Sequence, residues 1–205
     1  MLDMLSADEL EKRKQELLQD YRANRRTFWD IRVDELQQRW GGERGDFPLI
    51  QAALQRLRPT SLLEVGCGYG RYFPLYIGIP HVVGVDVSST MLARAAQSHP
   101  SVILRCQAIE ELNDPPDSFD VVVACRVLMH IPYELIAKVV QNMARVCRLG
   151  CIVLERSGGF QKLQYEFSHD YPRLSSEAGL VVAQDIELED YGHFYVLLKR
   201  PAKDS

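Results

Sequence analysis

Between Leu10 and Trp40 the apolar residues Leu10, Leu17, Leu18, Tyr21, Phe28, Trp29, Val33, Leu36 and Trp40 return at steps of three and four, the stripe of an amphipathic helix. Ser6 followed by Glu9 has capping-box spacing, and Gly41-Gly42 ends the run. The stripe reads as one long helix or as two, broken near Asn24. Its basic residues Arg22, Arg25, Arg26 and Arg32 are interleaved with acids, the pattern of a solvated face. A further amphipathic helix starts at Asp46-Phe47-Pro48 and carries Leu49, Ile50, Ala53, Leu54 and Leu57. Past Pro59 the runs shorten: SLLEV (61–65), HVVGVD (81–86), SVILRC (101–106), FDVVVAC (119–125) and CIVLER (151–156). Such runs, apolar on both faces and alternating with helical segments (the clearest is 133–147), predict a parallel sheet covered on both sides. After a long connection over 157–170 and a helix around 173–178, LVVAQDIELED and GHFYVLLKR are joined by a short Asp-Tyr-Gly turn. That turn leaves no room for a helix, so the sheet is expected to finish in an antiparallel hairpin.

Composition narrows the class. At 205 residues, and about 150 per typical domain, the chain is one domain with an appendage: a helical cap over 1–45 and a main domain over 46–205. An apolar fraction of 46% and a charged fraction of 25% exclude a disordered chain. A net charge of −4 argues against a dedicated binder of nucleic acid or anionic membrane. No run approaches the roughly 18 apolar residues of a membrane span. The charged start, MLDMLSADELEKRKQE, has no signal-peptide core. The five cysteines, Cys67, Cys106, Cys125, Cys147 and Cys151, are odd in number and lack CxxC spacing, so they read as reduced thiols of a cytoplasmic protein rather than a disulfide frame or a metal site.

The most informative segment is Leu62-Leu63-Glu64-Val65-Gly66-Cys67-Gly68-Tyr69-Gly70-Arg71, which puts three glycines directly after a buried strand and before an expected helix. Glycine there lets the backbone turn tightly and approach a ligand. Asp86 follows 20 residues after Gly66, at the end of the next strand, where its carboxylate can accept both hydroxyls of a ribose. A dehydrogenase fingerprint wants glycine at position 71, where this chain has Arg71. Glu64 at that point would repel a pyrophosphate and suit a cationic ligand.

With E-V-G-C-G-Y-G, then V-G-V-D-V-S, then F-D-V-V-V-A-C-R-V-L-M-H-I, the chain resembles the class I S-adenosylmethionine-dependent methyltransferases over roughly residues 45–200. The resemblance implies a doubly wound, Rossmann-like α/β fold with a mostly parallel seven-stranded sheet. It implies S-adenosylmethionine as cofactor, its methionine part cradled by Glu64, Gly66, Cys67, Gly68 and Gly70, and its ribose held by Asp86. Val87 and Met91 would flank the adenine, and Gln107, Ala108 and Ile109 would meet its edge. Cys125 and Arg126 would line the cofactor at the end of the fourth strand; for Arg126, an anionic acceptor is an equal alternative. The chain departs from the family pattern in carrying Ala108 where many members have Asp, and Arg148-Leu149-Gly150 where many have Pro-Gly-Gly.

Methyl transfer from a sulfonium is an in-line displacement whose main demand on the protein is positioning, worth about 7–11 kcal/mol. His130, after the fourth strand, is the foremost candidate for a general base, or else lines the cofactor. His169, a second candidate base, and Tyr171, a candidate for acceptor contact, form a second cluster, with Asp170 as an N-cap ahead of Pro172. Tyr21, Phe28 and Trp29 either cover an acceptor or pack in the core. His193, in the hairpin, reads as structural. No GxxxxGK[ST], HExxH or GxSxG is present, and the aromatic signature of many amino-methylating nucleic-acid and protein enzymes is replaced by Ala124-Cys125-Arg126-Val127. The expectation is a methyltransferase acting on oxygen, or nitrogen, of a small molecule, with no nucleic acid or membrane partner and with homodimerisation left open. The alternatives are a nucleic-acid or protein methyltransferase and a non-catalytic scaffold that keeps the fold.

Overall fold

The computed structural model describes residues 6–40, 45–156, 165–188 and 192–200. Seven strands, β1 (Ser61–Val65), β2 (His81–Asp86), β3 (Ile103–Cys106), β4 (Phe119–Cys125), β5 (Cys147–Arg156), β6 (Leu180–Glu187) and β7 (Gly192–Lys199), form one sheet in the order β3-β2-β1-β4-β5-β7-β6. All pairings from β3 to β5 are parallel, and β7 runs antiparallel to both β5 and β6. The sheet has the predicted hairpin; the turn residues Asp190 and Tyr191, like Gly41-Gly42, lie outside the described residues.

Alternation along the strands divides the core. Leu63, Val65, Val122, Ala124 and Val153 face α5 (Tyr133–Val146), α6 (Tyr171–Glu177) and the buried side of α1 (Ala7–Asp30). Leu62, Val121, Val123, Ile152 and Leu154 face α3 (Phe47–Leu57) and α4 (Ser89–Ser98). β4 is buried at every position, as a central parallel strand with both faces covered must be.

The capping box of Ser6 and Glu9 starts α1. The N-terminal stripe breaks at Ile31–Arg32, ahead of α2 (Val33–Trp40), rather than near Asn24. Asn24 stays helical, its amide donating to Asp20 one turn earlier at 2.7 Å, whereas the Asp30 carboxylate leaves the helix to bind the start of α4. Two other expectations need correction. The glycine loop is followed by a four-residue 3-10 turn, Phe73–Tyr76, not by an α-helix; Gly78, at a φ of 93°, breaks the chain two residues past it, and α3 packs against the sheet face beside it. β5 begins at Cys147, four residues ahead of 151, because Arg148 reaches Asp120 at 2.6 Å and Gly150 passes so close to β7 that a Cβ would lie 2.0 Å from the Leu197 carbonyl oxygen. Among the described residues no helix is long and apolar enough to cross a membrane.

Candidate functional site

The site gathers at the carboxyl ends of β1, β2, β4 and β5, where open parallel sheets bind ligands. After β1 the chain turns through Gly66, Gly68 and Gly70, all at positive φ (65°, 54° and 82°). A Cβ on Gly66 would lie 2.1 Å from Val127 Cγ2, so this turn presses directly on the segment after β4. The Gly68 N–H donates to Asp86 Oδ2 at 2.9 Å and the Ser88 N–H to Asp86 Oδ1 at 2.8 Å, which fixes the carboxylate between the two strand ends. Burial raises the Asp86 pKa, and these N–H groups oppose the shift.

Glu64 is 1% exposed, and its Oε2 has no hydrogen-bond partner among the described residues. Burial pushes its carboxyl up to about 8; the Tyr76 hydroxyl beside it opposes the rise, and Asp86 adds to it. A buried carboxyl with a free oxygen is costly unless something completes it. Cys67 and Met91 are buried around the loop, the Met91 sulfur 3.4 Å from where a Cβ on Gly68 would stand. Next to Asp86, the Val87 carbonyl accepts from the Cys106 thiol, and the Gln107 N–H donates to the Asp86 carbonyl at 3.0 Å. The Gln107 side chain is turned onto the Glu111 carbonyl, and Ala108 and Ile109 are buried.

Beyond β4, Cys125 is buried and Arg126 takes a left-handed conformation (φ 57°), its N–H donating to the Leu154 carbonyl at 2.7 Å. His130 ends a 3-10 turn, Leu128–His130. Its Nδ1 lies 2.6 Å from the Tyr165 carbonyl oxygen. A carbonyl only accepts, so Nδ1 carries the proton, and burial lowers the imidazole pKa. The ring is therefore neutral near pH 7, with its lone pair on Nε2. The Trp29 ring meets it edge-on at 4.7 Å.

α1 lies across these loops. Arg25 pairs with Glu110 after β3; Asp30 accepts from Ser88 Oγ at 2.5 Å and the Thr90 N–H at 3.1 Å. The Tyr165 hydroxyl, after β5, donates to Asp20 at 2.5 Å, and Tyr21 and Phe28 meet the Tyr165 ring at 5.3 and 5.0 Å. Trp29 and Tyr21 thus join the strand-end loops. His169 and Tyr171, expected on the acceptor side, are instead buried behind the post-β4 segment: His169 Nε2 is 2.9 Å from the Ile131 carbonyl oxygen, and Tyr171 borders a small apolar cavity with Leu128, Val140, Met143 and Val153. His193 pairs with Asp185 across the hairpin at 2.9 Å.

Sequence reasoning passed over Asp20, Asp30, Glu110 and Glu155, and it read Arg25 as part of a solvated face, whereas the Arg25 side chain is 12% exposed because it reaches inward to pair with Glu110. Glu155 is fully buried near the end of β5 and accepts the N–H groups of Val127 (2.8 Å), Leu128 (2.7 Å) and Met129 (3.3 Å). The signal was available: an acid set in the apolar run CIVLER, as Glu64 is set in SLLEV.

Residues 62–150 match the methyltransferase-domain family. The chain is 40% identical over 105 residues to a phosphatidylethanolamine N-methyltransferase of Cereibacter sphaeroides, covering 48% of this chain and 51% of that protein. It is 33% identical over 84 residues to a ubiquinone biosynthesis O-methyltransferase of Rhodopseudomonas palustris, covering 38% and 33%. The chain thus spans about half the length of the first relative and a third of the second. An amino pentose methyltransferase of Micromonospora echinaspora involved in calicheamicin biosynthesis, solved with S-adenosylmethionine bound, shares the fold at a TM-score of 0.67 and 18% identity, over 82% of this chain and 97% of that one. Over residues 62–150 the chain is thus similar to methyltransferase domains, and its fold is that of the S-adenosylmethionine-bound enzyme.

Proposed function

We propose that the protein transfers a methyl group from S-adenosylmethionine to an oxygen of a small-molecule acceptor, with His130 as general base. The observation that carries this reading is the His130 geometry: a neutral ring with Nδ1–H given to the Tyr165 carbonyl, which leaves Nε2 to take a proton from a hydroxyl.

The residues fit the cofactor. The unpartnered, buried Glu64 oxygen suits a donor or cation, the positive-φ glycines leave backbone open to close approach, and Asp86 keeps acceptor capacity for a ribose diol. A pyrophosphate would instead want a helix N-terminus after the loop, where this chain has a 3-10 turn. In this reading Glu64, Gly66, Cys67, Gly68 and Gly70 hold the methionine part and Asp86 the ribose. Val87, Met91, Gln107, Ala108 and Ile109 frame the adenine, and Cys125 and Arg126 form the wall beside the transferred group. When bound, S-adenosylmethionine supplies a methyl group on a positively charged sulfur that departs as a neutral thioether. The chain's part is to hold the acceptor in line and to move one proton from the acceptor hydroxyl to His130 Nε2. The Tyr165 carbonyl then steadies the imidazolium through Nδ1–H. Tyr21 and Trp29, on α1, exclude water above the acceptor, while His169 and Tyr171 support the wall from behind. We place the reaction in the cytoplasm, in keeping with five free cysteines.

A nitrogen acceptor is the second reading, favoured by the 40% identity to a phosphatidylethanolamine N-methyltransferase. Incubation with methyl-labelled S-adenosylmethionine and either a catechol or phosphatidylethanolamine vesicles separates the two. The expected result is label in the catechol, reduced about 10²–10⁴-fold in His130→Ala with cofactor affinity retained. Label in the vesicles alone moves the acceptor to nitrogen, and equal rates in His130→Ala remove the base.

A further inference from the structure

We infer that Glu155 is a positioning residue for the transfer, acting through the backbone of residues 127–129 to set the ring of His130; the inference rests on the reading of His130 as the base. The 3-10 turn Leu128–His130 has Val127 at its N-cap with no side-chain cap of its own. Its first N–H groups are orphans of the kind every helical start leaves. Glu155 satisfies three of them from the neighbouring strand, Val127 and Leu128 through Oε1 and Met129 through Oε2.

The other side of the turn is held independently. The Phe167 N–H donates to the Met129 carbonyl at 2.7 Å, and His130 Nδ1–H donates to the Tyr165 carbonyl at 2.6 Å. His130 therefore sits in a clamp with one jaw on β5 and the other on residues 165–167. The Gly66 turn closes against the same segment at Val127, so a shift in the turn would also reach the glycine loop. Only an acceptor with two oxygens, placed one residue inside the end of β5, meets all three N–H groups. Glutamine there presents one oxygen and turns an NH₂ group towards the Met129 N–H. Arg126, Cys125 and Tyr171 are the titratable neighbours of this carboxyl.

The test needs no acceptor. Nitrogen-15 NMR of histidine-labelled protein, at a pH where imidazoles are neutral, reads the tautomer of His130, assigned by its loss in His130→Ala. The wild type is expected to hold the Nδ1–H form, and Glu155→Gln to relax towards the Nε2–H form that free imidazole prefers, with His81, His99 and His193 unmoved. Glu155→Asp, which keeps the charge but is one methylene shorter, should show the same relaxation and serves if the glutamine variant does not fold. Once an acceptor is in hand, kcat should fall about 10–10²-fold with cofactor affinity unchanged. An unchanged His130 tautomer in a folded variant overturns the inference. A wild type already in the Nε2–H form overturns instead the reading of His130 as base.

Discussion

The ends of β1 and β5 each bury a glutamate one residue inside an apolar strand, yet the two carboxyls live differently. Glu155 is met by three backbone N–H groups, whereas Glu64 keeps an oxygen with no partner among the described residues. Burial raises both, Glu64 to about 8 and Glu155 to about 7, the lower value belonging to the carboxyl with more donors. The completed carboxyl holds the protein's own backbone in shape. The incomplete one belongs, in our proposal, to a site that a ligand finishes. Satisfaction of hydrogen bonds, more than burial, separates support from binding.

The harshest way to break the comparison is Gly66→Ala, since Gly66 is where the β1 turn presses on the segment Glu155 holds. A left-handed residue with a Cβ, forced against Val127, should cost together about 2–5 kcal/mol of stability in denaturant unfolding. Next, Glu155→Gln should lose about 1–3 kcal/mol by stranding a buried N–H, whereas Glu64→Gln should be close to neutral because its carboxyl is already incompletely met. Equal losses would erase the distinction between the two sites.

A pH series sharpens it further. The Glu64 carboxyl titrates at 4.5 when unperturbed and at about 8 in the fold. Its contribution to stability is therefore full below pH 4.5 and is lost as pH rises to about 8. Glu64→Gln should flatten that decline, leaving the smaller share that Glu155 adds up to about pH 7. A modest effect, away from both glutamates, belongs to His169→Gln. Losing the bond to the Ile131 carbonyl should cost about 1 kcal/mol of stability. The tautomer of His130 should not change.

Much of the frame was legible because strands buried on both faces leave unbroken apolar runs. The sequence pattern placed β1, β2 and β4 to the residue and marked the hairpin. The helix expected after the glycine loop is only a 3-10 turn, because the stretch before β2 is short and Gly78, at a φ of 93°, breaks it two residues past the turn. Glu64, the three glycines and Asp86 could be picked out because they are local, spaced along one strand–turn–strand unit. The Tyr165–Asp20 bond and the Arg25–Glu110 pair join residues far apart in sequence, and no periodicity records which distant side chains will meet. Glu155 lies between these cases: its acid stood out in an apolar run, but its partners are backbone groups of another element.

The central claim, that the incomplete end of β1 receives S-adenosylmethionine, is tested most directly by calorimetric titration near neutral pH in buffers of differing ionisation enthalpy, comparing wild type with Glu64→Gln. A cationic ligand brought to a carboxyl raised to about 8 should drive off its proton, so the wild type should release more protons on binding than the variant. Equal proton release in the two proteins, or no binding of S-adenosylmethionine by the wild type, would contradict the account.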